Sequence, residues 1–391
     1  MSGRIFLLAG EPWGDAIGAR LIQALHDQAP PGLELAGVGG PKMTNCGLSS
    51  LFPMHELTLS GFAEVLPLAP GLWRRLRQTT REVDRRRPDL VLTIDAPAFG
   101  LRLQRRLAGR PLVRVHYGAL ETWAWREARA MRLARDLDHL LALLPFEPAF
   151  FQRYGVPCSF VGHPLVEEMD ARADGARFRR RYQLPADAPL LCLLPGGRDS
   201  EIAQHLPVLE RAVGLIWRQV SQLRLVLPTL AGMAPLVKRL VARWQLPVLV
   251  LEDRSERLDA YAASWLAIAA SGTVSLEVAL AGLPSITIYR TGPLTAWLAR
   301  RLTRAPHVNM VNLILGRPVI PELLQEDCRP DRIAAAAVRL IGDEALRRDQ
   351  QAALAEAVDR LRGDDERPPS QRAAARILEL LADRPNLRRT A

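Results

Sequence analysis

Lysine is nearly absent from this 391-residue chain: Lys42 and Lys238 stand alone, and the rest of its 52 basic residues are arginine. Set against 42 acidic residues, these leave a formal net charge of +10. A guanidinium-rich surface points to an anionic partner, either a membrane surface or a phosphorylated substrate. Aromatics are also scarce, at 6%. No basic run is interleaved with exposed aromatic residues, so a nucleic-acid platform is not expected. The four cysteines, Cys46, Cys158, Cys192 and Cys328, are far apart. That spacing argues against a disulfide framework and a zinc site and predicts reduced, mostly structural thiols. No metal-ligating cluster is visible, and neither metal nor cofactor is expected. No apolar run approaches the roughly 18 residues of a spanning helix. The run Ile5–Ala9 is too short for a secretory signal and ends at Glu11, so none is expected.

What is present is an alternation of short apolar runs with amphipathic ones. Ile5–Ala9 reads as a strand, Gly10-Glu11-Pro12-Trp13-Gly14-Asp15 as a turn, and Ala16–Gln28 as a helix. Leu33–Val38 is the next strand. A strand–helix–strand opening predicts a parallel sheet. The spacing of Gly10 and Gly14 is not the Gly-x-Gly-x-x-Gly dinucleotide fingerprint. Later strands are expected at Leu90–Ile94, Pro111–Val115, Leu137–Leu144 and Pro157–Val161. They end at Asp95, at His116 and Tyr117, at Glu147 and at His163. Ligands of open parallel sheets sit beyond such ends.

Residues 170–186, rich in arginine, read as a linker and the entry to a second domain. A second set of strands follows near 190–194, 224–228, 247–251, 265–270 and 284–289. The first runs into Pro195-Gly196-Gly197-Arg198, with a helix from about Glu201. Two glycines at a strand-to-helix turn admit a close ligand, the helix start offers N–H groups, and Arg198 adds a forked cation. The pattern fits a diphosphate-binding turn, and also an ordinary turn with a solvated arginine. Ser271-Gly272-Thr273 opens another helix. After Gly342 the chain reads as charged helix, interrupted at Gly363–Ser370. The expected domains are 1–169 and 187–345, followed by a helical segment and tail at 346–391.

Residues 58–87 mix Phe62, Val65, Leu66, Leu68, Leu72, Trp73 and Leu76 with Arg74, Arg75, Arg77 and Arg85-Arg86-Arg87. Such a stretch suits an anionic bilayer surface. It would equally suit a surface helix with a solvated basic face.

The finer motifs carry a family resemblance. In the first half they are Ala9-Gly10-Glu11 with Gly14-Asp15, Gly37-Val38-Gly39-Gly40-Pro41 with Met43, Ile94-Asp95-Ala96-Pro97, and His116-Tyr117. Trp123-Ala124-Trp125-Arg126, Leu144-Pro145-Phe146-Glu147 and Gly162-His163-Pro164 follow. The second half adds Leu194-Pro195-Gly196 with Arg198 and Glu201, Ser271-Gly272-Thr273 with Leu276-Glu277, Tyr289-Arg290, Asn312-Leu313, and Pro321-Glu322-Leu323-Leu324-Gln325. In this order, over about residues 4–340, they resemble the lipid-A-disaccharide synthase family of inverting glycosyltransferases. The resemblance implies an α/β protein of two Rossmann-like domains facing a cleft, the glycosyltransferase B fold, with C-terminal helices returning to the first domain.

It also implies a reaction. UDP-2,3-diacylglucosamine would give its sugar to 2,3-diacylglucosamine 1-phosphate, forming a β-1,6-linked disaccharide 1-phosphate and UDP, in the cytoplasm at the inner membrane. A homodimer stays open. Asp95 is the expected base, with Glu11 in reserve; each could instead be a structural residue at a helix start. Gly196, Gly197 and Arg198 would hold diphosphate, with Ser271, Gly272 and Thr273 adding donors. Glu277 would accept from ribose hydroxyls, or cap its own helix. Gly10, Gly14, Asp15, His116, Tyr117, Trp123, Trp125, Glu201, Tyr289, Arg290, Asn312 and Gln325 complete the expected binding set. The chain departs from the family pattern at Pro12-Trp13, Ala98, Gly100, Gly118–Glu121, Gly197 and Asn309–Asn312. Those loops keep two alternatives open: a transferase with another acceptor, or a non-catalytic relative.

Overall fold

The computed structural model describes residues 3–57, 70–118, 127–169, 173–292 and 306–383. The chain forms two compact units. One comprises Met1–Pro164 with Leu361–Ala391, the other Leu165–Arg360.

The first unit is built on six parallel strands: β1 Arg4–Ala9, β2 Glu34–Val38, β3 Leu90–Ile94, β4 Val113–Tyr117, β5 His139–Ala142 and β6 Cys158–Phe160. Their order is β2-β1-β3-β4-β5-β6. Period-2 alternation explains why β1 is apolar throughout. Ile5, Leu7 and Ala9 pack into one core, with the helices Pro12–Gln28 and Pro369–Ala382. Phe6 and Leu8 pack into the opposite core, with Pro70–Arg86 and Pro97–Arg106. The last helix returns to the first unit, inserting Ala373, Ala374, Ile377 and Leu380 beside Leu21, Ile22 and Leu25.

The second unit repeats the plan with β7 Leu190–Leu194, β8 Arg224–Pro228, β9 Val248–Leu251, β10 Leu266–Ala270, β11 Ser285–Tyr289 and β12 Glu322–Leu324. The order is β12-β11-β10-β7-β8-β9, all parallel. Leu191 and Leu193 face the core beneath the helix Asp199–Trp217, while Leu190, Cys192 and Leu194 face the other layer.

Two sequence expectations change here. Residues 175–181 are a helix of the second unit rather than linker: Phe178 is buried and Arg177 holds Asp259 at 2.6 Å. The expected membrane patch is divided. Residues 58–69 lie outside the described residues, and Leu72 and Leu76 are buried against the first unit's core. Trp73 is 39% exposed, with the Arg77 and Arg106 guanidinium carbons 4.6 and 4.9 Å from its ring centroid. No described helix is long and apolar enough to cross a membrane.

Candidate active site

Every strand is parallel, so each sheet gathers its carboxyl ends along one edge. In the first sheet the chain reverses its winding between β1 and β3, where open α/β sheets form a crevice. Glu11 follows β1 and Asp95 follows β3. Asp95 and Ala96 both adopt left-handed backbone, with φ of 51° and 48°. Two such non-glycine residues in succession cost roughly 1–3 kcal/mol each, a strain typical of functional sites. The surroundings impose it. The Asp95 N–H donates to the Tyr117 carbonyl at 2.9 Å, and the Ala96 carbonyl accepts from Gly100 N–H at 2.9 Å as the next helix starts at Pro97.

Three glycines make room for this turn. A Cβ on Gly10 would lie 2.6 Å from the Ala96 Cβ. One on Gly14 would lie 3.0 Å from the Ile94 carbonyl, and one on Gly118 would lie 3.2 Å from the Asp95 nitrogen. Gly10, Gly14 and Gly118 therefore shape the seat of Asp95 by lacking side chains. Gly100 does the same one layer below, where a Cβ would press on Thr93 at 3.1 Å. Gly100 and Gly118, two of the departures from the family pattern, are thus close-packing positions.

Other expected ligands of this edge serve the fold. Asp15 is buried, and its carboxylate accepts from the N–H groups of Gly40, Lys42 and Met43 at 2.9–3.0 Å. It anchors the start of the short helix Pro41–Asn45. Tyr117 is a core residue, 1% exposed. His116 is fully buried, its Nδ1 2.8 Å from Thr93 Oγ1, and burial pushes its pKa down to about 3. Gln104 braces the same Thr93 hydroxyl at 3.1 Å. Glu147 is buried and closes the turn after β5, accepting from Leu143 and Leu144 N–H groups at 3.0 and 2.9 Å. Trp123 and Trp125 lie outside the described residues.

In the second sheet the reversal falls between β7 and β10, so Gly196–Arg198 and Ser271–Thr273 flank the corresponding crevice. Gly196 has φ +117°, and a Cβ there would come within 2.4 Å of Glu201 Oε2. That carboxylate accepts from Gly197 and Arg198 N–H groups at 2.9 and 3.3 Å. The expectation that Gly197 would offer its amide to a ligand is thus corrected. Glu201, expected to bind, instead folds the turn from within. Arg198 remains 81% exposed, its nearest Nη 3.7 Å from Glu201. Gly272 and Thr273 are exposed, and Ser271 Oγ donates to the Val308 carbonyl at 3.3 Å.

Tyr289 and Arg290 end the neighbouring β11. Burial, with Glu201 nearby, pushes the Tyr289 hydroxyl pKa upward. Gln325, just past β12, accepts from Thr291 N–H at 3.2 Å and so ties down the segment after Arg290. Glu277 is buried, with Oε2 3.3 Å from both Arg257 Nη1 and Tyr261 Oη. Burial raises its pKa and Arg257 opposes that. Asn312 is withdrawn from the binding set: its amide is fully buried, donating to the Ile320 carbonyl and Glu322 and accepting from Val319 and Ile320. Asn309 caps the helix Met310–Leu315.

Sequence reasoning missed His205. Its Nδ1 lies 2.6 Å from the Pro195 carbonyl, and its Nε2 accepts from Arg290 N–H at 2.9 Å. A signal was available, since His205 stands four residues after Glu201 and so shares its helix face. Among the described residues no group of metal-ligating side chains occurs.

Comparison with known proteins bears on the fold and the family. The model of a family described as lipid-A-disaccharide synthetase matches residues 5–377. The chain is 47% identical to the lipid-A-disaccharide synthase of Rhodospirillum centenum over 382 residues, 97% of this chain and 95% of that protein. It is 43% identical to that of Paramagnetospirillum magneticum over 381 residues, 96% and 97% of the two. Among solved structures it resembles the UDP-GlcNAc 2-epimerase of Neisseria meningitidis bound to UDP-GlcNAc, with a TM-score of 0.66 and 10% identity over 97% of this chain and 100% of that one. It also resembles MurG of Acinetobacter baumannii, with a TM-score of 0.57 and 15% identity over 96% and 99%. At these identities the structural likeness establishes the fold: two Rossmann-like units of the glycosyltransferase B type.

Proposed function

This chain belongs to the lipid-A-disaccharide synthase family, glycosyltransferases of lipid A biosynthesis, and on that premise we propose that it transfers diacylglucosamine from UDP-2,3-diacylglucosamine to 2,3-diacylglucosamine 1-phosphate with inversion. The observation that carries this reading is the strained Asp95–Ala96 turn, seated among Gly10, Gly14 and Gly118 at the first sheet's reversal point. The acceptor's 6-hydroxyl would give its proton to Asp95 as it attacks the anomeric carbon. Glu11, beside it at the end of β1, is the reserve base. The donor would lie along the carboxyl ends of β10 and β7. There Arg198 would neutralise charge developing on the departing diphosphate, with Ser271, Gly272 and Thr273 offering further donors. Glu277, held by Arg257 and Tyr261, would receive ribose hydroxyls. The test is incubation with UDP-diacylglucosamine and the monosaccharide phosphate, followed by mass analysis. A disaccharide phosphate with stoichiometric UDP is expected; recovery of both substrates unchanged would refute the assignment.

The same reading includes peripheral attachment to an anionic membrane surface. Arg74, Arg77 and Arg81 recur at helical spacing on Pro70–Arg86, and Arg77 and Arg106 lie against the ring of the exposed Trp73. Glu82 is engaged with Arg85 and Arg86, not with this stripe. Each arginine near an anionic surface contributes about 1 kcal/mol. Replacing Arg74, Arg77 and Arg81 together by Gln should therefore cut binding to phosphatidylglycerol vesicles by about a hundredfold. Flotation at low and high salt would measure it, and undiminished binding by the triple variant would rule this surface out.

A further inference from the structure

His205 joins two ends of the second sheet that no strand ladder joins. It sits on the helix Asp199–Trp217, one turn beyond Glu201, with no exposed surface. The Pro195 carbonyl can only accept a hydrogen bond, so the Nδ1 that approaches it to 2.6 Å carries the proton. The Arg290 N–H can only donate, so Nε2 at 2.9 Å is bare. The ring is thus neutral, in one tautomer, with both nitrogens occupied. Pro195 follows β7 and Arg290 follows β11, and β10 lies between those strands. Pro195 lacks an N–H of its own, and the next residue, Gly196, is left-handed.

We propose that His205 is a positioning residue for the donor, fixing the Gly196–Arg198 turn and the Arg290 backbone at a set separation so that both can address one nucleoside diphosphate. This rests on the donor-site reading given above. The tautomer follows from the two partners, and burial, which lowers the ring's pKa, keeps it neutral. The Tyr289 ring lies 5.8 Å from the imidazole, so the bridge also borders the end of β11. Without it, the Pro195 carbonyl and the Arg290 N–H would both lose a buried partner, and the turn carrying Arg198 would be free to drift from β11. A group that only filled space would do none of this, because leucine fills the same volume.

The test compares His205→Leu with His205→Gln, whose amide can both donate and accept. Calorimetry with UDP should show affinity falling about five- to thirtyfold in the leucine variant, with donor KM rising in step and kcat and acceptor KM little changed. The glutamine variant should recover most of the loss. A folded leucine variant with wild-type UDP affinity, or a glutamine variant no better than leucine, would overturn the proposal. If leucine prevents folding, nitrogen NMR of the wild-type ring decides: the Nδ1–H tautomer is expected, and the Nε2–H tautomer would overturn the bridge. Arg198→Ala is measured alongside. If it weakens UDP while His205→Leu does not, this inference fails alone; if neither weakens UDP, the donor-site reading fails with it.

Discussion

The two strand-end edges reach a similar layout by different means. In the first unit the backbone bears the cost: Asp95 and Ala96 are left-handed, and three glycines are packed around them. In the second unit the left-handed residues at the reversal point, among those described, are glycines, Gly196 and Gly272, which carry no such penalty. Order there comes from side chains, with Glu201 gripping two amides and His205 gripping Pro195 and Arg290. A rigid, over-determined turn suits a base that must meet one hydroxyl at one angle. A turn held by side-chain hydrogen bonds leaves its outward cation exposed, where on the proposed reading Arg198 would meet the departing phosphate.

The sharpest separation of the two edges is Asp95→Asn. The amide is nearly isosteric and cannot take a proton, so turnover should fall by about 10²–10⁴-fold while UDP affinity stays within a few-fold. Near-normal turnover would move the base to Glu11. Arg198→Ala should do the reverse. Loss of a charge-assisted contact of about 1.5–3 kcal/mol would weaken UDP roughly ten- to a hundredfold, with the melting temperature little changed because the side chain is exposed. Equal UDP affinity in that variant would remove the diphosphate role. Gly10→Ala tests the backbone account. Its methyl would meet the Ala96 Cβ at 2.6 Å, so the variant should lose about 1–3 kcal/mol of stability and most of its turnover, with UDP binding spared. Unaltered turnover would show that the turn tolerates movement.

The smallest effect per group concerns pH. Burial holds His116 at about 3, and His139 and His163 at about 4, with Arg376 adding to the depression at His139. All three lie in the first unit, whereas His205 is the buried histidine of the second among the described residues. A depressed histidine pKa means that the unfolded chain binds protons the folded one refuses. The stability is therefore complete above about pH 6.5 and declines as pH falls below it. From pH 7 to 6 each of the three should cost about 0.7 kcal/mol. Hydrogen exchange, corrected for intrinsic rates, should then show the first unit losing more protection than the second. Equal losses would contradict the buried neutral assignments.

Much of this was legible in the residues themselves. Leu90–Ile94 matches its expected strand, and Leu190–Leu194 and Arg224–Pro228 match those expected near 190–194 and 224–228, because parallel strands buried on both faces are short continuous apolar runs bounded by turns. Glu322–Leu324 escaped because an edge strand of three half-buried residues has too little apolar pattern to register. The helix Gly175–Arg181 escaped because its arginines mask one buried residue, Phe178.

By itself the sequence determined the two α/β units, the strand ends that matter and the family. Those follow from local periodicity and from glycines, prolines and charges at fixed spacings, all of which are properties of neighbours along the chain. Tertiary structure alone decided what each polar side chain does at those ends. Asp15, Glu201, Asn312 and His116 have the same chemistry as ligands, and only their partners from distant segments, or a backbone turn folded back onto them, reveal that they are occupied. Hydrogen bonds such as Gly40 N–H to Asp15 or Arg290 N–H to His205 link residues 25 and 85 positions apart. Those pairings arise from packing sheets and helices together, which no local pattern records.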